Sequence, residues 1–131
     1  WKDVDRVYQK TNDIDVELVY TGNKKMDEIY YDSIKERENI RTITLRGHNI
    51  LHFGEGQPLR NVGIPEIALV TAPDYLTAVS ESHEMEKFNS DLMYEQTLTF
   101  IEIIHKIDET PAEQLGKPEP YTFGLGRIGD K

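Results

Sequence analysis

The stretch that decides the fold class reads IDVELVYTGNKKMDEIYYDSIKERENIRTITL and spans residues 14–45. Residues 14–20 alternate between apolar and polar side chains and end at a Thr-Gly-Asn turn, which is typical of a half-buried strand. Residues 24–37 are rich in charge and carry apolar residues near helical spacing, so they predict an amphipathic helix. Residues 40–45 alternate again, with β-branched content, and predict a second strand. This order favours an α/β fold.

A second apolar stretch, PEIALVTA, occupies residues 65–72 and is the least polar part of the chain. It is short and partly β-branched, which predicts a central strand that is buried on both faces. Residues 73–82 follow as a loop immediately beyond the carboxyl end of this strand. Open α/β sheets usually bind their ligands at this position, so we expect the loop to border a binding site.

The clearest helix is predicted for residues 90–109. Ser90 offers a short oxygen-bearing side chain to the free amides of the first turn, and Thr110-Pro111 ends the helix. Its predicted apolar stripe consists of Met93, Thr97, Phe100, Ile101, Ile104 and Ile107. Residues 112–131 show no periodicity and are predicted to form an extended arm or tail, which leaves residues 1–111 as a single α/β domain.

The predicted sheet is a partial mixed or parallel sheet with flanking helices. A strand buried on both faces needs neighbouring strands on either side and helices above and below it, and this chain supplies few strands. We therefore expect the domain to be part of a larger sheet. An apolar edge or face left uncovered in this way predicts self-association or contact with a missing amino-terminal half.

The composition excludes several classes of function. The chain has 24 acidic and 15 basic residues and a net charge of −9, so nucleic acids and anionic membrane surfaces would be repelled. No apolar run approaches the length of a membrane-spanning helix. The absence of cysteine excludes disulfides, thiolate zinc sites and cysteine nucleophiles, so any metal site would need His, Asp or Glu ligands. The sequence indicates no particular cellular compartment.

Two groups of residues have the composition of metal sites. His48 and His52 are four residues apart, but the glycines around them favour a loop with solvated or partly buried imidazoles over a helical metal pair. His83 stands beside Glu84 and Glu86, a combination that can bind a divalent cation. An acidic segment that complements the dipole of the following helix explains the same residues without a metal.

Glu55 is a further candidate because glycines flank it on both sides. Such a Gly-Glu-Gly turn presents a carboxylate and lets another backbone approach closely, although a solvated acidic turn is the simpler interpretation. The chain has no Gly-x-Ser-x-Gly motif and no phosphate-binding glycine loop, so serine hydrolase chemistry and nucleotide binding have no support.

Four short segments resemble a known family. They are FGEGQPL at residues 53–59, GIP at 63–65, PDYL at 73–76 and EKFN at 86–89. In this order they resemble the carboxyl-terminal part of the M28 family of zinc-dependent peptidases, which includes aminopeptidases and relatives of glutaminyl cyclase. In that family a Gly-Ile-Pro turn leads into one of the last strands, a loop that bears a metal ligand follows, and a long helix closes the chain.

The resemblance implies a two-zinc site in the complete enzyme, where a metal-bound water attacks the peptide carbonyl and a glutamate acts as general base. Most of the ligands would belong to an amino-terminal half that these residues do not contain. The family's last histidine ligand would fall near Val79 or Ser80, neither of which can replace an imidazole. His83 is then the substitute metal ligand, with Asp74 as another oxygen candidate. The residues implied to line the substrate cleft are Glu55, Asp74 and Tyr75.

The function that the resemblance implies is peptide hydrolysis by an M28-like metallopeptidase, with zinc as cofactor and a peptide as substrate in the full-length protein. We expect the 131-residue chain to be inactive alone. An alternative is a non-catalytic, peptidase-like binding or scaffold module, which the missing loop histidine favours. A third hypothesis is a self-contained domain that binds a metal through His48, His52 and Glu55.

Overall fold

The computed structural model describes residues 2–4, 7–46, 54–71 and 84–120. The strands are β1 (Lys2–Val4), β2 (Val7–Gln9), β3 (Glu17–Thr21), β4 (Thr42–Arg46) and β5 (Ile67–Thr71). The helices are α1 (Lys24–Ile34), α2 (Gly56–Asn61), α3 (Ser90–Asp108) and α4 (Ala112–Leu115), with a 3-10 turn at Glu84–Lys87 before α3. Strands and helices alternate, so the predicted α/β class is confirmed.

The main sheet has three strands in the order β4-β3-β5. β3 and β4 are parallel and joined through α1, which is the strand–helix–strand unit that residues 14–45 predicted. β5 lies on the other side of β3 and runs antiparallel to it, with Thr21 opposite Ile67 and Glu17 opposite Thr71. The sheet is therefore mixed. β1 and β2 form a separate antiparallel pair.

The strand that is buried on both faces is β3, and the prediction that residues 65–72 would take this place is wrong. Val19 and Thr21 are 0% exposed on the side of α1, and Tyr20 is 1% exposed on the opposite side. By contrast, the side chains of β5 that the structure describes, residues 67–70, are only half-buried. Because β3 has a strand on each side whereas β5 pairs with β3 alone among the described residues, the central position belongs to β3.

The core lies between the sheet and two helices. α1 covers one face of the sheet, and α3 packs against α1. The buried apolar side chains of this core are Val19, Met26, Ile29, Tyr30, Ile34 and Ile103. α1 begins at Asn23, whose Oδ1 accepts a hydrogen bond from the Met26 amide at 3.0 Å. It ends at Ile34, three residues before the predicted end.

α3 begins at the predicted residue and ends one residue before the predicted end, but its contacts differ from the predicted ones. The cap is Asn89 and not Ser90, because Asn89 Oδ1 accepts from the amides of Asp91 at 3.1 Å and Leu92 at 3.0 Å. Thr99 and Ile103 are the buried residues of the helix. Of the predicted stripe, Phe100 and Ile107 pack against the core, whereas Met93, Thr97, Ile101 and Ile104 are exposed. Apolar residues occur on two sides of α3, so periodicity alone could not identify the buried side.

The segment after α3 is anchored to the turn between β3 and α1. The Asn23 side-chain amide donates to the carbonyls of Leu115 at 2.8 Å and Lys117 at 3.0 Å. The Glu119 amide donates to the Gly22 carbonyl at 2.8 Å. This part of the predicted arm thus begins with the short helix α4 and then follows the turn. Within the described ranges, no helix combines the length and apolar character needed to cross a membrane.

Gly22 is the tightest point of this arrangement. A Cβ atom at this position would lie 2.8 Å from the Glu66 amide nitrogen and 3.0 Å from the Pro65 Cα, which are backbone atoms that cannot move aside locally. We expect Gly22→Ala to lower the free energy of unfolding by roughly 1–3 kcal/mol, the usual cost of overpacking, as measured by urea denaturation.

Gly63→Ala is the matched control. Its φ of +80° makes alanine unfavourable there, but nothing lies within 4 Å of the added Cβ, so its cost should be about 1 kcal/mol and come from the backbone alone. Unfolding of Gly22→Ala at the wild-type urea concentration would contradict the close approach of residues 65–66 to the turn.

Candidate functional site at the Glu17 edge

The main sheet has two polar edges that differ in what they contain. The Thr21 edge is the edge at which β3 and β4 end and β5 begins, and the Glu17 edge is the opposite one. Because β5 is antiparallel to β3, its last residue, Thr71, lies opposite Glu17. Residues 73–82, which lie outside the described residues, thus come after a strand that ends beside the amino ends of the parallel pair. The general rule for carboxyl ends of parallel strands, which guided the prediction, does not apply to it.

The Thr21 edge is filled by the protein's own polar side chains. The Asp27 carboxylate, in the first turn of α1, accepts hydrogen bonds from the Thr21 hydroxyl and from Arg46 Nε. Asp27 is buried, so the Arg46 guanidinium neutralises a charge that would otherwise be costly there. The hydrogen bond to Asp27 raises the pKa of Arg46. This arrangement fixes the start of α1 on the sheet.

A second ion pair closes the same edge. Arg60 Nη1 lies 3.5 Å from Glu66 Oε1, and both side chains are almost fully buried. Arg60 also donates to the Glu119 carbonyl, so the guanidinium joins α2, the start of β5 and the segment after α4. Burial raises the pKa of Glu66, and the charge and hydrogen bond of Arg60 act in the opposite direction. These contacts are structural, and they explain the closure of the Thr21 edge.

The Glu17 edge contains a largely buried ion pair between Arg37 and Glu17. Arg37 donates from Nη1 to Glu17 Oε2 at 3.0 Å and from Nη2 to Glu17 Oε1 at 2.8 Å, which is the bidentate geometry that guanidinium and carboxylate groups favour. Gln96 of α3 adds a third hydrogen bond, from Nε2 to Glu17 Oε1 at 2.7 Å. β3, the connection that follows α1 and helix α3 therefore meet at this carboxylate.

Two polar atoms at the Glu17 edge have no hydrogen-bond partner among the described residues. They are Arg37 Nε and Glu95 Oε2, which are buried and lie 3.8 Å apart. The distance is suitable for an ion pair but too long for a direct hydrogen bond. Nearby, the Tyr30 hydroxyl and Thr42 Oγ1 are 2.8 Å apart, and burial raises the pKa of Tyr30.

Glu55 is the predicted cleft residue that the structure describes. It is exposed and directly precedes α2, after Gly54 with its φ of +92°. A Cβ at Gly54 would lie 3.6 Å from Val70 Cγ2, so the Gly-Glu-Gly turn reaches the last residues of β5. The structure thus brings Glu55 to the end of the strand that precedes residues 73–82.

The other predicted site residues lie outside the described residues. These are Asp74, Tyr75 and His83, together with the alternative ligands His48 and His52. In the described ranges, no group of three or more His, Asp or Glu side chains is placed to hold a metal ion. Glu55 supplies one carboxylate, which does not amount to the ligand set that a zinc ion requires. The described residues therefore do not fit a zinc site by themselves.

Sequence reasoning missed the cluster around Glu17. In the sequence, Glu17 is one of the polar residues of an alternating strand, and Arg37 is the last residue of the predicted charged helix. The signal that could have found the cluster is the central position of β3, which has a strand on each side. A carboxylate at the start of a central strand is removed from water and therefore requires a cation nearby. No spacing rule connects Glu17 with Arg37 or with Gln96, which is 79 residues away.

Removing the cation at this edge should be costly. In Arg37→Met, the largely buried Glu17 carboxylate keeps Gln96 as its partner but loses its neutralising charge, and we expect a loss of roughly 3–5 kcal/mol in the free energy of unfolding. The double variant Glu17→Met/Arg37→Met should recover most of this loss, because no unpaired charge remains. A single-variant loss below about 1 kcal/mol, measured by chemical denaturation, would contradict the ion pair.

No protein-family model, curated protein or solved structure matches this chain. The resemblance to the M28 family therefore rests on the short segments of sequence quoted above, and the function has to be argued from the residues and their geometry.

Proposed function

We propose that this chain is the carboxyl-terminal part of an M28-like, metal-dependent peptidase domain and that it does not hydrolyse peptides by itself. In this proposal the complete protein removes amino-terminal residues from peptides. The chain contributes a sheet edge and one wall of the substrate cleft. Glu55, Asp74 and Tyr75 are the proposed cleft residues, and His83 is the proposed ligand for zinc.

The observation that carries the proposal is the placement of Glu55 at the end of β5. The Gly54 backbone lies beside Val70, and a single residue, Ala72, separates the end of β5 at Thr71 from residues 73–82. Gly54, in one segment of the resemblance, thus lies beside the strand that precedes a second segment, residues 73–76, in the sequence. A few polar groups at the edge of a concave site are typical of ligand-binding clefts, and the exposed Glu55 carboxylate supplies one such group beside β5.

The order of the elements gives further support. The turn at residues 63–65 leads into β5, and α3 is the long helix that comes later in the chain. Gly63 has a φ of +80°, and the amides of Gly63 and Ile64 bond back to Arg60 and Leu59 at 3.0 Å. The glycine is needed because residues with a Cβ rarely adopt this conformation. The turn conformation therefore explains why a glycine begins the Gly-Ile-Pro sequence.

The small size of the sheet is the third line of support. In the described residues β4 and β5 each pair with one strand, and Ile43 of β4 remains 50% exposed. A three-stranded sheet with a half-exposed isoleucine would gain stability from additional strands. In this proposal, an amino-terminal half of the protein supplies the additional strands and the remaining metal ligands.

The direct test is peptide hydrolysis by the complete product of the gene, assayed with aminoacyl-p-nitroanilides and short peptides. We expect hydrolysis that a chelator abolishes and added zinc restores, and no hydrolysis by the 131-residue chain alone. A complete product that folds, contains zinc and leaves every peptide intact would contradict the peptidase and favour the non-catalytic binding module. Hydrolysis by the 131-residue chain alone would contradict its proposed dependence on a second half.

Single substitutions in the complete product separate the proposed roles. His83→Ala should remove zinc, measured by metal analysis, whereas His105→Ala on the exposed side of α3 should not. Glu55→Gln should lower kcat/KM by about tenfold, and Glu109→Gln, beyond the end of α3, should leave it unchanged. Equal effects of the paired substitutions would contradict the assigned site residues.

A further inference from the structure

The carboxyl ends of the two parallel strands are covered by a short segment that comes late in the chain. We call residues 116–120 the strap. They follow α4 and lie against the Thr21 edge, where β3 and β4 end. Open α/β sheets usually bind their ligands outside the carboxyl ends of their parallel strands. The strap therefore lies where a ligand would be expected in this class of fold.

Asn23 holds the start of the strap through main-chain atoms. Its side-chain amide donates to the Leu115 carbonyl at 2.8 Å and to the Lys117 carbonyl at 3.0 Å. Between these two residues Gly116 has a φ of +73°, and a Cβ atom there would lie 3.4 Å from Asn23 Nδ2. The conformation favours glycine, because other residues rarely adopt this φ. One amide group thus binds two carbonyls of a chain that turns at Gly116.

Glu119 holds the other end of the strap, again through its main chain. Its amide donates to the Gly22 carbonyl at 2.8 Å, and its carbonyl accepts a hydrogen bond from the buried Arg60 guanidinium. Donors and an acceptor arranged in this way recognise an extended main chain, whichever side chains that chain carries. We call the Gly22 carbonyl, the Asn23 side-chain amide and the Arg60 guanidinium together the strap site.

The surroundings of the strap site favour a negative charge. The hydrogen bond to Asp27 raises the pKa of Arg46, and the charge of Glu119 acts in the same direction. Arg46 and Arg60 thus place two guanidinium groups at this edge of a protein whose net charge is −9. Each guanidinium also has a carboxylate partner, Asp27 or Glu66, so the preference is modest. The ligand that fits is an extended peptide with an acidic residue at the position of Glu119.

The strap is not part of the core. All five of its residues are exposed or half-buried. Leu115, at the end of α4, packs against the core and precedes the turn at Gly116. A segment that is held by hydrogen bonds rather than by apolar packing has low local stability, so it can open while the rest of the domain stays folded. Gly116 is the position at which such an opening would begin.

From these observations we infer that the strap is a releasable occupant of a peptide-binding site, and that the strap site binds an extended segment of another polypeptide when the strap opens. Because the strap belongs to the same chain, its effective concentration at the site is high, and it competes with any partner. Opening of the strap therefore controls access to the site. This inference concerns the edge opposite the proposed cleft and does not rest on the proposed function.

Hydrogen exchange of the full 131-residue chain, followed by NMR, tests the release. Asn23→Asp keeps the oxygen that caps α1 at the Met26 amide, but it replaces the donor to the strap with an oxygen that repels carbonyls. We expect the Glu119 amide to exchange at least about tenfold faster, while the Val19 amide in β3 keeps its protection. Asn89→Asp is the matched control, since it makes the same change at the cap of α3 and should leave Glu119 unchanged.

Peptide binding tests the site itself. Gly116→Val should release the strap and leave the strap site intact, because valine is strongly disfavoured at this φ. A fluorescein-labelled peptide with the sequence of residues 112–120 should bind this variant at least about tenfold more tightly than it binds the wild-type chain, as measured by anisotropy. The double variant Asn23→Asp/Gly116→Val should lose this binding, and circular dichroism verifies that each variant folds. A Glu119→Gln peptide should bind about threefold more weakly than the unaltered peptide.

The two measurements can each overturn the inference. Unchanged exchange of the Glu119 amide in Asn23→Asp would contradict the release of the strap, and this result does not depend on the folding of Gly116→Val. Equal affinity of Gly116→Val and the wild-type chain for the peptide, or binding that survives in the double variant, would contradict the strap site. Equal binding of the Glu119→Gln peptide would contradict the preference for an acidic residue.

Discussion

The structure depends on β3 being paired on both sides. β4 pairs with one edge of β3 in parallel register and β5 pairs with the other edge in antiparallel register. In this central position the β3 residues Val19, Tyr20 and Thr21 are buried on both faces. A largely buried carboxylate lies at each end of the strand, and each requires a cation beside it. Arg46 neutralises Asp27 at the Thr21 edge, and Arg37 neutralises Glu17 at the Glu17 edge.

The direction of β5 decides how the two edges differ. Because β5 is antiparallel, its start brings Glu66 to the Thr21 edge, where Arg60 and the segment after α4 close the surface. Its end lies at the Glu17 edge, beside the turn that carries Glu55. One edge is thus occupied by structural contacts. The other combines an exposed carboxylate with a buried ion-pair cluster, which is why the proposed cleft is assigned to the Glu17 edge.

Sequence patterns predicted the elements better than their relations. The alternation in residues 14–20 and 40–45 and the helical spacing in residues 24–37 identified β3, β4 and α1, because local periodicity reports which side of an element is apolar. A pattern of apolar residues is compatible with either strand direction. The antiparallel orientation of β5 could therefore not be predicted from the sequence. α2 has one strongly apolar side chain in its six residues, Leu59, and gave no periodic signal.

The candidate site shows the same division. Glu55 could be selected from its flanking glycines, since a local turn explains its presentation. The cluster of Glu17, Arg37 and Gln96 could not, because its members come from β3, the connection after α1 and α3, and they meet only through the tertiary fold. On α3, two apolar sides compete for the core, and the position of α1 decides that Ile103 is buried and Ile101 is exposed.

The pairing of β5 with β3 is the feature on which this account depends most, and solution NMR measures it directly. Antiparallel pairing predicts inter-strand NOEs between Glu17 and Thr71, between Val19 and Leu69 and between Thr21 and Ile67. NOEs that instead join Glu17 with Ile67 and Thr21 with Thr71 would indicate parallel strands. That result would place the end of β5 at the Thr21 edge and contradict the assignment of the site.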